Sequence, residues 1–269
     1  GYLAHHHHLY QSIQPNMTQL DPLNYQPSAG LLQDRIIVVT GAGSGIGRAV
    51  AQTFARHGAT VVLLGRTLAK LESVYDSIEA AGGPKPAIFP INFEGASAQD
   101  YEQLRAALEN EFGRVDGLMH NAGALGGRTP LGQYSYSDWQ KVMHVNVNAP
   151  FLLTRALLPL LQKSADGRIV FTGSTVGRKG RAYWGAYAVS KGATETLMQV
   201  LADELEQTPI RVNSINPGAT RTAMRSEAYP AEDPAVVTPP EAIMNPYLFL
   251  FGPDSKDWHG QQLDAQPVR

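Results

Sequence analysis

Six short apolar runs alternate with amphipathic helical stretches, and a glycine-rich turn follows the first run directly. Together they predict an α/β fold: a single-domain Rossmann arrangement, a doubly wound parallel sheet with helices on both faces. The runs are continuously apolar rather than alternating in polarity, which marks strands covered on both sides. Of the 269 residues, 31–269 are assigned to this domain and 1–30 read as a tag or flexible leader. His5 to His8 in that leader read as an expression tag rather than a metal site, and no metal site is expected elsewhere. Asn16-Met17-Thr18 has the form of a glycosylation sequon, but no secretory segment accompanies it, and Met17 is a candidate native start.

The first strand spans 36–40 and runs through the glycine turn into a helix over 45–57. Residues 60–64 form the second strand and 68–81 the second helix, stopped by Gly82-Gly83-Pro84. The third strand and helix cover 87–93 and 99–112, and 117–120 is the fourth strand. The apolar region 139–163 is expected to be one long helix despite Pro150 and Pro159. A fifth strand over 168–172, a helix over 183–206 and a sixth strand over 210–216 complete the alternation. The Pro- and Ala-rich stretch 219–246 reads as a mobile lid over the end of the sheet.

Bulk properties narrow the function. Charged residues make up 17% of the chain and the formal net charge is -2, so neither nucleic acid nor an anionic membrane is an expected partner. No cysteine is present, which removes disulfides, thiolate catalysis and cysteine-bound zinc and suits a reducing cytoplasm. No apolar run approaches the length of a membrane span. A cytoplasmic protein is expected.

Thr40-Gly41-Ala42-Gly43-Ser44-Gly45-Ile46-Gly47 stands where such a sheet places its phosphate loop. Gly41 permits the sharp turn, Gly45 lets backbone approach a pyrophosphate, and Gly47 allows close helix–sheet packing. The helix that begins there offers unpaired N–H groups and a positive dipole end. The second strand then runs into Gly65-Arg66-Thr67 with no carboxylate before Glu72. A carboxylate would repel a 2′-phosphate, whereas a guanidinium pairs with it, so NADP(H) is expected over NAD(H). Tyr187 and Lys191 lie one helical turn apart. An adjacent ammonium is expected to draw the phenol down from its ordinary value near pH ~10 and fit it for general acid–base work.

Thr40-Gly-x-x-x-Gly-Ile-Gly47, Asn121-Ala122-Gly123, Asn146, Ser174, Tyr187-x-x-x-Lys191 and Pro217-Gly218 resemble the short-chain dehydrogenase/reductase family along nearly all of the chain from Leu31. Residues 177–181 and 264–267 look like its bacterial YciK-like branch. The resemblance implies that Tyr187 donates or accepts the proton, while Lys191 tunes it and bonds the nicotinamide ribose. It further implies that Ser174 holds the substrate carbonyl oxygen and Asn146 positions a water. Gly41, Ser44, Gly45, Ile46, Gly47, Arg66, Asn121, Ala122, Gly123, Pro217, Gly218 and Thr222 would contact the cofactor, Thr222 at the carboxamide. Asn92 replaces a frequent aspartate near the adenine. The implied activity is NADP(H)-dependent hydride transfer between nicotinamide and a carbonyl or secondary alcohol, in a homodimer or homotetramer.

Three other readings compete. A serine hydrolase on Ser174 would need His57, His120, His144 or His259 within reach. A non-catalytic NADP(H) sensor would have no reason to keep Asn146, Ser174, Tyr187 and Lys191 together. Arg178, Lys179 and Arg181 read as a solvated turn rather than a nucleic-acid patch, and could attract an anionic substrate tail. Leu125, Tyr183, Trp184, Met224 and Tyr229 are candidate pocket-wall residues.

Overall fold

The computed structural model describes residues 21–267. Its strands are β1 (Ile36–Thr40), β2 (Thr60–Gly65), β3 (Ala87–Pro90), β4 (Gly117–His120), β5 (Arg168–Thr172), β6 (Arg211–Asn216) and β7 (Gln262–Asp264). They form one parallel sheet in the order β3-β2-β1-β4-β5-β6-β7. Val39 sits beside Leu63 on one side and Met119 on the other. The helices are α1 (Gly45–Arg56), α2 (Leu68–Ala80), α3 (Ala98–Phe112), α4 (Tyr136–Met143), α5 (Ala149–Leu161), α6 (Thr175–Arg178), α7 (Gly185–Glu204), α8 (Ala223–Ala228) and α9 (Met244–Phe251).

The central strands feed two cores, which is why β1 and β2 are apolar along nearly their whole length. Ile37, Val39, Val61, Leu63 and Val170 join a cluster with α1, α2 and α9. Val38, Val62, Leu64, Ile169 and Phe171 join another with α3, α5 and α7. The chain winds outward to β3 and returns to start β4 on the far side of β1, the switch point where doubly wound sheets open a crevice. Among the described residues no helix is long and apolar enough to cross a membrane.

Several boundaries depart from expectation. Residues 21–30, assigned with the leader, include a packed anchor: Tyr25 is buried edge-on to Phe249 at 5.3 Å and donates to Asp254 Oδ2 at 2.6 Å. The surrounding Gln and Asn hid it. The rest of the leader, His5 to His8 and Met17 included, lies outside the described residues. The expected helix over 139–163 starts earlier, after Ser135, whose hydroxyl accepts from Asp138 N–H at 3.3 Å. A π-turn, His144–Asn148, then breaks it before α5, with Pro150 tolerated in the first turn of α5. The stretch expected as a lid contains α8 and the start of the unforeseen α9.

The amino ends of the strands are locked by charge. Asp116 accepts from Ile36 N–H at 2.8 Å and from the Ser164 hydroxyl at 2.6 Å. Arg168 is fully buried and donates to Asp166, to Ser255 Oγ at 3.1 Å, and to the Gly167 and Gly252 carbonyls.

Candidate active site

The carboxyl ends of the strands build the site. Thr40 Oγ1 accepts from the N–H groups of Asn121 (2.8 Å) and Ala122 (2.9 Å), tying the end of β1 to the segment that leaves β4. Gly41 takes a φ of 61°, and an added Cβ on Gly47 would overlap the Gly41 carbonyl. Only glycine at 47 lets α1 start this close to the sheet. Ser44 is the N-cap residue, and its side chain makes no capping bond. Gly45, Ile46 and Gly47 therefore present N–H groups that have no helical acceptor and no cap. These orphaned donors at a positive helix end fit a dinucleotide pyrophosphate. Thr222, the N-cap of α8, forms the facing wall: a Cβ on Gly45 would lie 3.4 Å from its methyl group.

Arg66, directly after β2, is exposed and reaches Glu94 only at 3.4 Å; Lys141 approaches the same carboxylate at 3.3 Å. The sequence reasoning missed Lys70, whose Cβ lies 3.0 Å from the position of a Cβ on Gly43. A second exposed cation thus flanks the turn, and its four-residue spacing from Arg66 was the available signal. Asn92 turns its Oδ1 to the Glu94 N–H at 3.0 Å. Gly218 takes a φ of 74°, and Gln266 Nε2 donates to the Pro217 (3.0 Å) and Ala219 (2.7 Å) carbonyls, so the chain's end holds the loop that precedes Thr222.

Ser174 follows β5 and precedes α6 without capping it, and its hydroxyl bonds the Tyr187 phenol instead. Lys191, buried on α7, donates to the Thr172 carbonyl at 3.1 Å and lies 5.7 Å from the centre of the Tyr187 ring. The expected depression of the phenol by Lys191 is not found. Burial holds Tyr187 above its ordinary value, a hydrogen bond with Ser174 offsets this in part, and Tyr229 adds to the rise. Burial likewise draws Lys191 down to about 8, opposed by Glu195. Lys191 does not offset the desolvation of Tyr187, because its ammonium is turned toward the Thr172 carbonyl rather than the phenol. Glu195, another residue the sequence reasoning passed over, is itself buried and accepts from the Ser214 hydroxyl at 2.7 Å.

Asn146 sits in the π-turn with its amide fully engaged. Nδ2 donates to the Ala124 carbonyl (2.9 Å) and Ser190 Oγ (3.0 Å), and Oδ1 accepts from Ala124 N–H (2.8 Å). It braces the segment after Gly123 against α7. Trp184 stands 5.7 Å from the Tyr187 ring and 6.1 Å from Tyr229, and the Met224 methyl approaches Gly123. Trp184 and Tyr229 thus flank Tyr187 and Met224 lies against Gly123, whereas Leu125 is buried and Tyr183 is exposed with a φ of 70°.

The alternatives lose their supports. His120 is buried against Thr154 Oγ1 at 2.7 Å, stacks on Phe171 and is held neutral, its pKa drawn down to about 3 by burial. His57, His144 and His259 bond to Thr53, Asn148, and Ala202 with Val212, respectively, and among the described residues no histidine bonds Ser174. Arg178 pairs with Asp264 at 2.9 Å and so joins α6 to β7.

A glycine turn with orphaned donors, set across the strand ends from Ser174, Tyr187 and Lys191, defines the doubly wound oxidoreductase class. The chain belongs to the short chain dehydrogenase family, whose model matches residues 35–233. It is 53% identical to the oxidoreductase YciK of Escherichia coli K12 over 247 residues, 92% of this chain and 98% of that one. A short chain dehydrogenase structure from Pseudomonas syringae superposes with a TM-score of 0.89 at 60% identity, covering 90% of this chain and 99% of the other. A crystal structure from Escherichia coli CFT073, complexed with NADPH, gives a TM-score of 0.88 at 53% identity, covering 90% and 100%.

Proposed function

We propose that the protein is an NADP(H)-dependent oxidoreductase that interconverts a carbonyl compound and a secondary alcohol, with Tyr187 as general acid and base. The juxtaposition of the Tyr187 phenol with Ser174 and Lys191, opposite the orphaned N–H groups of α1, carries this reading. Bound nicotinamide supplies or takes up the hydride at the carbonyl carbon. Residues 41–47 hold the pyrophosphate, and Arg66 with Lys70 takes the 2′-phosphate. Asn121, Ala122, Gly123, Pro217, Gly218 and Thr222 line the remainder, and Lys191 orients the ribose. Ser174 donates to the carbonyl oxygen, where the bond strengthens as negative charge develops. Tyr187, kept protonated by burial, then gives that oxygen its proton; alcohol oxidation runs the same transfer in reverse.

The NADPH-bound relative supports the cofactor, and the exposed Arg66 supports the preference. A sensor would gain nothing from a half-buried phenol beside a buried lysine. Exposed Phe151 on α5, with Val189 and Val200 on α7, supports assembly into a homo-oligomer through those helices. NADPH and NADH titrations of the wild type and Arg66→Ala test the cofactor assignment. The variant should bind NADPH about tenfold more weakly, as for loss of one charge-assisted pair, with NADH held within about twofold. An unchanged ratio refutes the preference. A carbonyl panel followed by NADPH absorbance tests the reaction, and no turnover on any member counts against it.

A further inference from the structure

The wall beside Tyr187 contains a cation that the proposed chemistry does not use. Arg128, in the segment after β4, places its guanidinium carbon 4.1 Å from the centre of the Trp184 ring and 5.4 Å from that of Tyr229. It also donates to the Ala228 carbonyl at the end of α8. Its Nε is buried with no partner, and no carboxylate among the described residues pairs with it. Arg225 makes the contrast. Its guanidinium carbon lies 3.8 Å from the centre of the same Tyr229 ring, but it is bound in fork fashion to Glu232 at 2.8 and 2.9 Å.

Two arginines share one aromatic ring, and one of them lacks its counter-charge. Stacking on indole and phenol fixes Arg128 without neutralising it. An orphaned buried N–H is uncommon in a folded protein, and here it adds to a guanidinium whose charge no protein acceptor offsets beyond one backbone carbonyl. The single unbalanced positive charge matches a carboxylate better than a phosphate dianion, since Glu232 already neutralises Arg225.

We propose that Arg128 selects the substrate by binding its carboxylate, so that the natural substrates are oxo acids or the corresponding hydroxy acids. This rests on the reading of Tyr187 as proton donor to a carbonyl. Trp184 packs against both the guanidinium, at 4.1 Å, and the Tyr187 ring, at 5.7 Å, so a carboxylate and a carbonyl about one aromatic ring apart would reach both.

The test has a binding arm and a turnover arm, each with wild type, Arg128→Gln and Arg128→Lys. Calorimetry with benzoate should give at least a tenfold weaker Kd in Arg128→Gln, the loss of one charge-assisted fork. For reduction of 4-acetylbenzoate against methyl 4-acetylbenzoate, the acid-to-ester ratio of kcat/KM should exceed about ten in the wild type and collapse in Arg128→Gln. Arg128→Lys should fall between, because it keeps the charge and loses the fork. If Arg128→Gln does not fold, the wild-type ratio and Arg128→Lys decide. Equal benzoate affinity in all three proteins, or a wild-type ratio of one or less, overturns the proposal and leaves the oxidoreductase reading standing. Arg128-dependent benzoate binding without turnover of any carbonyl keeps the anion site and overturns that reading instead.

Discussion

Strand β5 begins and ends beside a buried cation, and the two are treated differently. At its amino end Arg168 is enclosed by Asp166, Ser255 and two backbone carbonyls. At its carboxyl end Lys191 has one hydrogen bond, to Thr172, and the more distant field of Glu195. The same contrast holds along the sheet. Asp116 and Asp166 satisfy the amino edge, while the carboxyl edge leaves α1 and α6 without side-chain caps and Arg128 without a counter-ion among the described residues. The amino edge is built for stability. The carboxyl edge keeps polar groups under-partnered, which is what a site that must engage a ligand requires.

Removing a partner at each edge should separate the two. Asp166→Ala leaves Arg168 buried and unpaired, so the fold should lose about 3 to 4 kcal/mol in urea unfolding. A loss well under that size would mean the amino edge is not held by charge. Lys191→Met should act in the opposite direction. Burial lowers Lys191 from 10.5 to about 8. The protonated form is the disfavoured one in the folded state, and that difference corresponds to about 3 kcal/mol. The penalty is full below pH 8, and wild-type stability should rise between pH 8 and 10.5 as the folded form deprotonates first. The variant should therefore gain about 2 to 3 kcal/mol at pH 7, lose the rise and lose activity. A destabilised variant would show that Lys191 is structural, like Arg168. Smallest is Thr40→Val, which strips the acceptor from two backbone N–H groups and should cost about 1 to 2 kcal/mol in the same assay. No change would mean that the hydroxyl does not tie β1 to β4.

The sequence is legible where local chemistry decides the outcome. β1, β2 and β5 are readable because continuous apolar runs between polar turns have few other uses. α3 is readable because Ser97 and Asp100 form a capping box at its start and Gly113 turns left-handed at its end. α9 is not, since every residue of Met244–Phe251 but Asn245 is buried and the apolar run shows no period. β7 is three residues long. The glycine turn and the Tyr187–Lys191 pair are visible as spacings. Arg128 and Gln266 are not, because their partners lie on remote segments: Ala228 lies 100 residues from Arg128, and Pro217 lies 49 residues from Gln266. The direction of the Tyr187 shift escapes the sequence for another reason. The i,i+4 spacing reveals the cation but not the burial that overrides it.

The most direct test follows NADPH oxidation on a responsive carbonyl in the wild type and Tyr187→Phe, with NADPH affinity measured on both. The variant keeps every backbone donor of the glycine turn and loses only the transferable proton. Turnover should fall by about a thousandfold or more while NADPH affinity stays within a few-fold. Turnover retained in Tyr187→Phe would contradict the account, because the proton would then come from another group.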